Sequence, residues 1–233
     1  MTDRETTSRN LAASIYNGLK TDILSGRLMP GKKLVISDLS ATHGVSPGAV
    51  REALSRLTSE ELVVAEPMRG FRVVPSSVSE LEDLTQVRIF IEQHCLERAM
   101  CEGDLKWESE IVSALYQINR TDFRSADDPK IINDAWSDAH HRFHASLVSA
   151  CDSVWMLKLR EQLFVQSRRY HHLSVLLPAD DRDIRTEHSD LAEAVIARDL
   201  EKAKELIAAH FEKTKQILKN SALIGTGQGN VPG

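Results

Sequence analysis

The chain has 233 residues, 42% of them hydrophobic and 27% charged, which is enough apolar material for one large or two small globular cores. No apolar run approaches the ~20 residues that span a bilayer, and the opening MTDRETTSRN lacks the apolar centre of a signal peptide, so no membrane role is expected and the cytoplasm is the expected compartment. The net charge of −5 is uneven, with ten Lys/Arg against eight Asp/Glu in residues 1–75 and 19 against 26 in the remainder, which weakly favours nucleic-acid contact in the first third alone.

Leu11, Ile15, Leu19 and Ile23 recur at helical spacing and predict a first helix over residues 8–25, closed by Gly26. A short helix follows over residues 37–43, closed by Gly44. Ser46 then offers an N-cap and Pro47 a preset first helical position, so a third helix is expected to begin at Pro47. Its Val50, Leu54 and Leu57 make a stripe to bury, while Gly48, Arg51 and Ser55 share another face that is small, polar and carries one cation. Such a face suits entry into a DNA major groove, where bulk would hold the backbone away and an arginine can take guanine O6 and N7 together. The β-branched runs at residues 62–66 and 71–74, separated by Pro67-Met-Arg-Gly70, read as a two-stranded hairpin. Three helices and a hairpin predict a winged helix-turn-helix over residues 8–75, with Arg69 and Gly70 at the wing tip near the phosphates or minor groove.

Residues 75–79 read as a linker, and Ser79 with Glu82 matches a capping box for the next helix, which should run to about Cys101. Gly103-Asp104 restarts the chain, Asp128-Pro129 predicts a helix opening at Lys130, and Asp152 is the expected cap of a helix reaching Val175. Pro178-Ala-Asp-Asp181 precedes a helix over residues 184–198, and the last covers residues 200–219. The fold class is therefore mainly α: the winged domain, then an all-α antiparallel bundle of about six helices over residues 79–220, with a Gly-rich, disordered tail expected over residues 221–233.

The histidines sort by helical phase. His140 and His144 stand at i, i+4 and share a stripe with Ile132, Trp136 and Leu147. His188 lies in phase with Ile184, Leu191 and Val195, and His210 with Ala203, Leu206 and Ile217. Three helices thus aim imidazole at one interior, which calls either for a shared transition metal or for internally satisfied core histidines. His43, His94, His141, His171 and His172 read as surface or core residues. Arg88 sits within the apolar stripe of Leu81, Leu84, Ile91 and Cys95, where an inward guanidinium needs a carboxylate, either an internal one such as Glu92 or that of a bound effector. The spacing His140-x-x-x-His144 also occurs in zinc hydrolases, and a metal-dependent hydrolase is the alternative function. Against it, the place of the general-base Glu is taken by His141. Cys95, Cys101 and Cys151 are odd in number and lack a CxxC spacing, so neither a disulfide framework nor a Cys-based zinc site is expected.

Ile23-Leu-Ser-Gly-Arg-Leu28, Pro30-Gly31, Gly44-Val-Ser46, Val50-Arg-Glu-Ala-Leu54, Glu61-Leu-Val63 and Arg69-Gly70 together resemble the GntR family of bacterial transcription regulators, and the helical remainder looks like the FCD ligand-binding domain of its FadR-type branch. The resemblance implies a regulator and not an enzyme: a homodimer on double-stranded, pseudo-palindromic operator DNA, repressing until a small carboxylate effector binds. It implies DNA contacts at Ser46, Gly48, Arg51, Arg69 and Gly70, with Arg51 at the position of the family's DNA-contacting arginine. Where many members carry two further arginines, this chain has Ser37 and Pro47, so the common operator sequence is not implied. The resemblance also implies a divalent metal, zinc or nickel first, held by an Asp four residues before a His and by two later His. His144, His188 and His210 fall on the His positions, and His140 replaces the Asp. Arg88 is the candidate effector-binding residue.

Overall fold

The computed structural model describes residues 3–128, 131–175, 182–220 and Ile224. The chain divides into two compact units, residues 1–76 and 77–233.

The first unit contains α1 (Asp3–Leu24), β1 (Lys33–Leu34), α2 (Ile36–His43), α3 (Pro47–Ser59), β2 (Val63–Glu66) and β3 (Gly70–Val73). Ala12, Ile15, Leu19 and Ile23 of α1 pack toward Val50, Leu54 and Leu57 of α3, and all seven are buried. Leu11, expected in that stripe, is 42% exposed, and Ala12 takes its place inside. The hairpin pairs Val63 with Val73 and Glu66 with Gly70. The expected hairpin is there, but the sheet has a third strand: β1 adds to the free edge of β3, with Lys33 opposite Arg72 and Leu34 opposite Phe71, giving the order β1-β3-β2. Two residues are too few for alternation to announce a strand. The addition is secured instead by Val73 donating to the Lys32 carbonyl at 2.9 Å and by the Arg72 guanidinium, which reaches the Gly31 carbonyl at 2.6 Å. Gly44 closes α2 at φ 62°, the left-handed conformation that glycine adopts without a Cβ penalty, and so turns the chain into α3.

The second unit contains α4 (Val78–Glu102), α5 (Leu105–Asn119), α6 (Asp134–Leu147), α7 (Val154–Val175), α8 (Ile184–Ile196) and α9 (Leu200–Lys219). Helix α4 packs on α7 and α9, α5 on α6 and α8, and α8 on α9. Leu96, Ile111, Phe143, Leu147, Val195 and Ile207 lie at their common core, each of a size whose burial contributes about 1.5–3 kcal/mol. Several expected boundaries move. The cap of α4 is Ser77, which accepts from the Glu80 amide at 3.1 Å, and not Ser79. The Glu80 carboxylate does not return to the cap, because Arg169 and Tyr170 hold it. The helix expected at Lys130 starts at Asp134 under an Asn133 cap, since Ile132 is drawn into a β-bridge with Arg124; Pro129 and Lys130 lie outside the described residues. Asp152 does not cap α7. It pairs with Arg98, and the Ser153 hydroxyl accepts from the Met156 amide at 3.4 Å. The predicted restart at residues 178–181 and the tail from Gly225 lie outside the described residues, whereas Ile224 is buried beside Leu81, Tyr170, Leu173 and Leu218. Among the described residues no helix is long and apolar enough to cross a membrane.

Candidate nucleic-acid interface and metal centre

Ser46 caps α3 by accepting from the Ala49 amide at 3.3 Å, and Pro47 occupies the first turn. Ala49, Val50, Ala53, Leu54 and Leu57 are buried, which leaves Gly48, Arg51 and Ser55 exposed together on the opposite face. A Cβ at Gly48 would meet only the Ser46 hydroxyl, at 3.8 Å, so nothing inside the protein demands a glycine there. The far end of α3 is fixed to α1: the Glu60 carboxylate takes Lys20 Nζ at 2.6 Å and the Tyr16 hydroxyl, and the Arg56 guanidinium stacks on the Tyr16 ring at 3.8 Å. In the β2–β3 turn the Arg69 amide donates to the Glu66 carbonyl at 3.0 Å, and Gly70 has φ +94°. Met68, Arg69 and Gly70 are exposed at the tip.

In the second unit His140 and His144 from α6, His188 from α8 and His210 from α9 are all buried, and one nitrogen from each lies within 4.8 Å of the others. His140 Nε2 and His144 Nε2 are 3.1 Å apart. Trp136 stacks on the His140 ring, centroids 4.8 Å apart, and sets its plane. Burial holds His140, His144 and His188 well below the ordinary histidine pKa. It lowers His210 too, although the hydrogen bond to Glu187 opposes it. All four are therefore neutral near pH 7, with lone pairs available. Among the described residues His144 Nδ1 and His188 Nε2 are buried with no hydrogen-bond partner. The donor set fits a transition ion: Zn–N bonds of about 2.0–2.1 Å put tetrahedral ligand nitrogens roughly 3.3–3.4 Å apart, close to the observed pair.

Arg88 is also buried. Its Nη1 donates to Ser167 Oγ at 2.8 Å, its Nη2 lies 3.7 Å from Glu92 Oε1, and its guanidinium covers the Phe211 ring at 4.0 Å. Glu92 accepts its hydrogen bond from a second buried guanidinium, Arg160 Nε, at 3.0 Å. One buried carboxylate thus faces two buried cations, and among the described residues Arg88 Nε has no hydrogen-bond partner. Burial pushes the Arg88 pKa down to about 10, so it stays charged.

The description of bacterial regulatory proteins of the gntR family matches residues 11–73, and that of the FCD domain matches residues 83–213. The chain is a GntR-family regulator. Its relatives include the HTH-type transcriptional regulator BphR of Paraburkholderia xenovorans, 35% identical over 93% of this chain and 88% of that protein. Another is the HTH-type transcriptional repressor GlaR of Escherichia coli, 33% identical over 84% of this chain and 90% of that one. The solved structure of E. coli McbR/YncC shares the fold, with a TM-score of 0.71 at 22% identity, covering 90% of this chain and 97% of that chain. The regulator's relatives and fold are those of DNA-binding transcription regulators, not of enzymes. The hydrolase reading is set aside, and His141, in the place of a general base, is paired with Glu161 at 3.0 Å.

Other residues lie close to these groups. His171, assigned to surface or core, lies with its ring centroid 5.5 Å from that of His140 and lines a cavity of about 20 Å³ beside Arg88, Ser167 and Phe211. That volume holds one water. A second pocket, of about 270 Å³, reaches His188 between Asn119, Phe123, Trp136 and Arg185. His171 had a signal in its place one turn from Ser167 on α7; the pocket residues had none, because their convergence is purely tertiary. His43 and His94 are exposed, and the side chain of His172 lies outside the described residues.

Proposed function

We propose that this regulator is a repressor whose hold on operator DNA is released by a small carboxylate, taken up at a divalent metal held by His140, His144, His188 and His210. What carries the reading is the meeting of four buried neutral imidazoles, two of them with unpartnered nitrogens, beside the buried cation excess at Arg88 and Arg160. Imidazole ligands suit zinc or nickel, and a shell without carboxylate leaves the ion its full charge, so an anion is the natural further ligand. When bound, the metal would supply a Lewis-acidic anchor for that anion. Arg88, with one guanidinium nitrogen unsatisfied, would bind the same anion or a second carboxylate on it. The water-sized cavity beside Arg88 has to widen to admit one, so binding favours a conformation different from this one, which is the requirement for an effector to shift an equilibrium. The name of the GlaR relative supports repression as the mode.

On the DNA side, the reading gives base contacts to Arg51 and close backbone approach to Gly48, with Ser46 near the phosphates and Arg69 and Gly70 in the wing. A two-fold homodimer would set two copies of α3 about 34 Å apart, on half-sites one helical turn from centre to centre.

The test joins both ends. A gel shift on DNA from upstream of the regulator's own gene, at fixed salt, should be weakened by about 1–3 kcal/mol in Arg51→Ala. With zinc-loaded protein, a screen of short mono- and dicarboxylates should yield a compound that raises the melting temperature and relieves the shift, and that loses both effects in His144→Ala. A protein that takes up no stoichiometric zinc or nickel, or whose DNA affinity no carboxylate alters, overturns the effector mechanism.

A further inference from the structure

One face of His210 looks away from the histidine cluster, toward a network that the regulator's proposed function leaves unused. His210 Nδ1 lies 2.8 Å from Glu187 Oε2, one helix over on α8. Glu187 is in turn gripped by cations: Arg182 Nε lies 2.9 Å from Oε1, Arg182 Nη2 lies 2.7 Å from Oε2, and Lys213 Nζ lies 3.0 Å from Oε1. Arg182 Nη1 donates to Thr214 Oγ1 at 2.9 Å, so the guanidinium is fastened to α9 as well.

A second nitrogen competes for the same ring atom. Arg182 Nη2 is 3.2 Å from His210 Nδ1, so Nδ1 could in principle accept from Arg182 rather than donate to Glu187. The hydrogen count decides between them. Nη2 carries two hydrogens, and two oxygens stand nearer: Glu187 Oε2 at 2.7 Å and the His210 carbonyl at 3.0 Å. Both hydrogens are committed, and Nδ1 is left to donate its own to Glu187. In that tautomer the neutral ring carries its lone pair on Nε2, the nitrogen then available to an ion held with the other three histidines.

We propose that Glu187, clamped by Arg182 and Lys213, is a positioning residue that sets the His210 tautomer and orientation and thereby makes His210 a metal ligand. The inference rests on the metal reading above, but its first consequence is visible without any metal. Removing the carboxylate frees an Arg182 hydrogen for Nδ1, the proton moves to Nε2, and the ring then aims an N–H where a ligand lone pair is needed. Groups outside the first ligand sphere of this kind change metal affinity by about 10- to 100-fold.

The experiment reads ring-nitrogen chemical shifts by NMR in the full-length, metal-free protein, with the His210 signals assigned by their loss in His210→Gln. The wild type should show His210 protonated at Nδ1, and Glu187→Ala should show it protonated at Nε2. Zinc affinity, measured by competition with a chromophoric chelator, should fall about 10- to 100-fold in Glu187→Ala and in the isosteric Glu187→Gln. Far-UV circular dichroism checks that each variant is folded, and Glu187→Gln carries the comparison should the alanine variant not fold. Wild-type His210 protonated at Nε2, or a folded Glu187 variant with wild-type zinc affinity, overturns the assignment to Glu187. A wild type that binds no zinc but shows the Nδ1 proton removes the metal reading and leaves the tautomer control standing.

Discussion

At the scale of single residues, Gly48 is where the demands of folding can be told apart from those of the proposed recognition. It sits in the first turn of α3, where a Cβ would make only an ordinary contact with the Ser46 hydroxyl, so Gly48→Ala is expected to keep or raise stability, by up to ~1 kcal/mol from helix propensity. The same methyl would stand between α3 and a base edge. DNA affinity in a gel shift should therefore fall by roughly the 1–3 kcal/mol of a lost base-pair match; a variant as tight as wild type would mean that α3 does not approach DNA at this position. Gly103 behaves oppositely. Its φ of −67° is open to any residue, but a Cβ would lie 2.0 Å from the Trp107 ring, which is pinned by its Nε1 bond to the Ser146 carbonyl at 2.8 Å. Gly103→Ala should cost about 1–3 kcal/mol of stability by overpacking, seen as a lower urea midpoint, with no direct effect on DNA contacts. In the sequence both glycines read only as local punctuation or small size; what distinguishes them is the Trp107 ring, four residues after Gly103 and held over it by the distant Ser146 carbonyl.

At the scale of elements, α3 is useful for recognition only if it is held against α1, and Glu60 is the polar part of that attachment. Burial would raise its carboxyl pKa, but the hydrogen bonds from Lys20 and Tyr16 outweigh this and hold it below the usual 4.5. A lowered folded pKa means that the unfolded chain takes up the proton first as pH falls. The contribution is thus fully present above about pH 4.5 and is lost as pH drops from there through the folded value. Glu60→Gln should melt at a lower temperature than wild type at pH 7, by an amount worth no more than ~1 kcal/mol for a pair this near the surface, and the two curves should converge in acid. A difference that persists undiminished at pH 3 would assign the effect to packing. The helices and the hairpin were legible, because amphipathic stripes such as Val50, Leu54 and Leu57 depend on neighbours within one helix; the two-residue β1 was not. Element ends were less so. Ser77 and Ser79 are both competent caps, and the choice fell to Ser77 with Glu80 engaged by Arg169 and Tyr170 from a helix some ninety residues later.

At the scale of the whole molecule, the four histidines join α6, α8 and α9 at one point, so an ion there would cross-link three helices in the folded state and nothing comparable in the unfolded one. Stripping metal with a chelator should lower the melting temperature of the helical unit. Readdition of zinc should restore it in a concentration-dependent way, by about 2.7 kcal/mol at a hundred times the dissociation constant. A melting curve indifferent to chelator and zinc would leave the histidines as core packing. The order of the helices, the small exposed face of α3 and the inward phase of His140, His144, His188 and His210 were determined by the sequence alone, since each follows from periodicity within a few turns. Only the tertiary structure decided that the four imidazoles converge, that β1 completes the sheet, that Arg88 shares Glu92 with Arg160, and that Glu187 backs His210. Each of those depends on which side chains from distant segments meet, and on which donors and acceptors remain unpaired once they do.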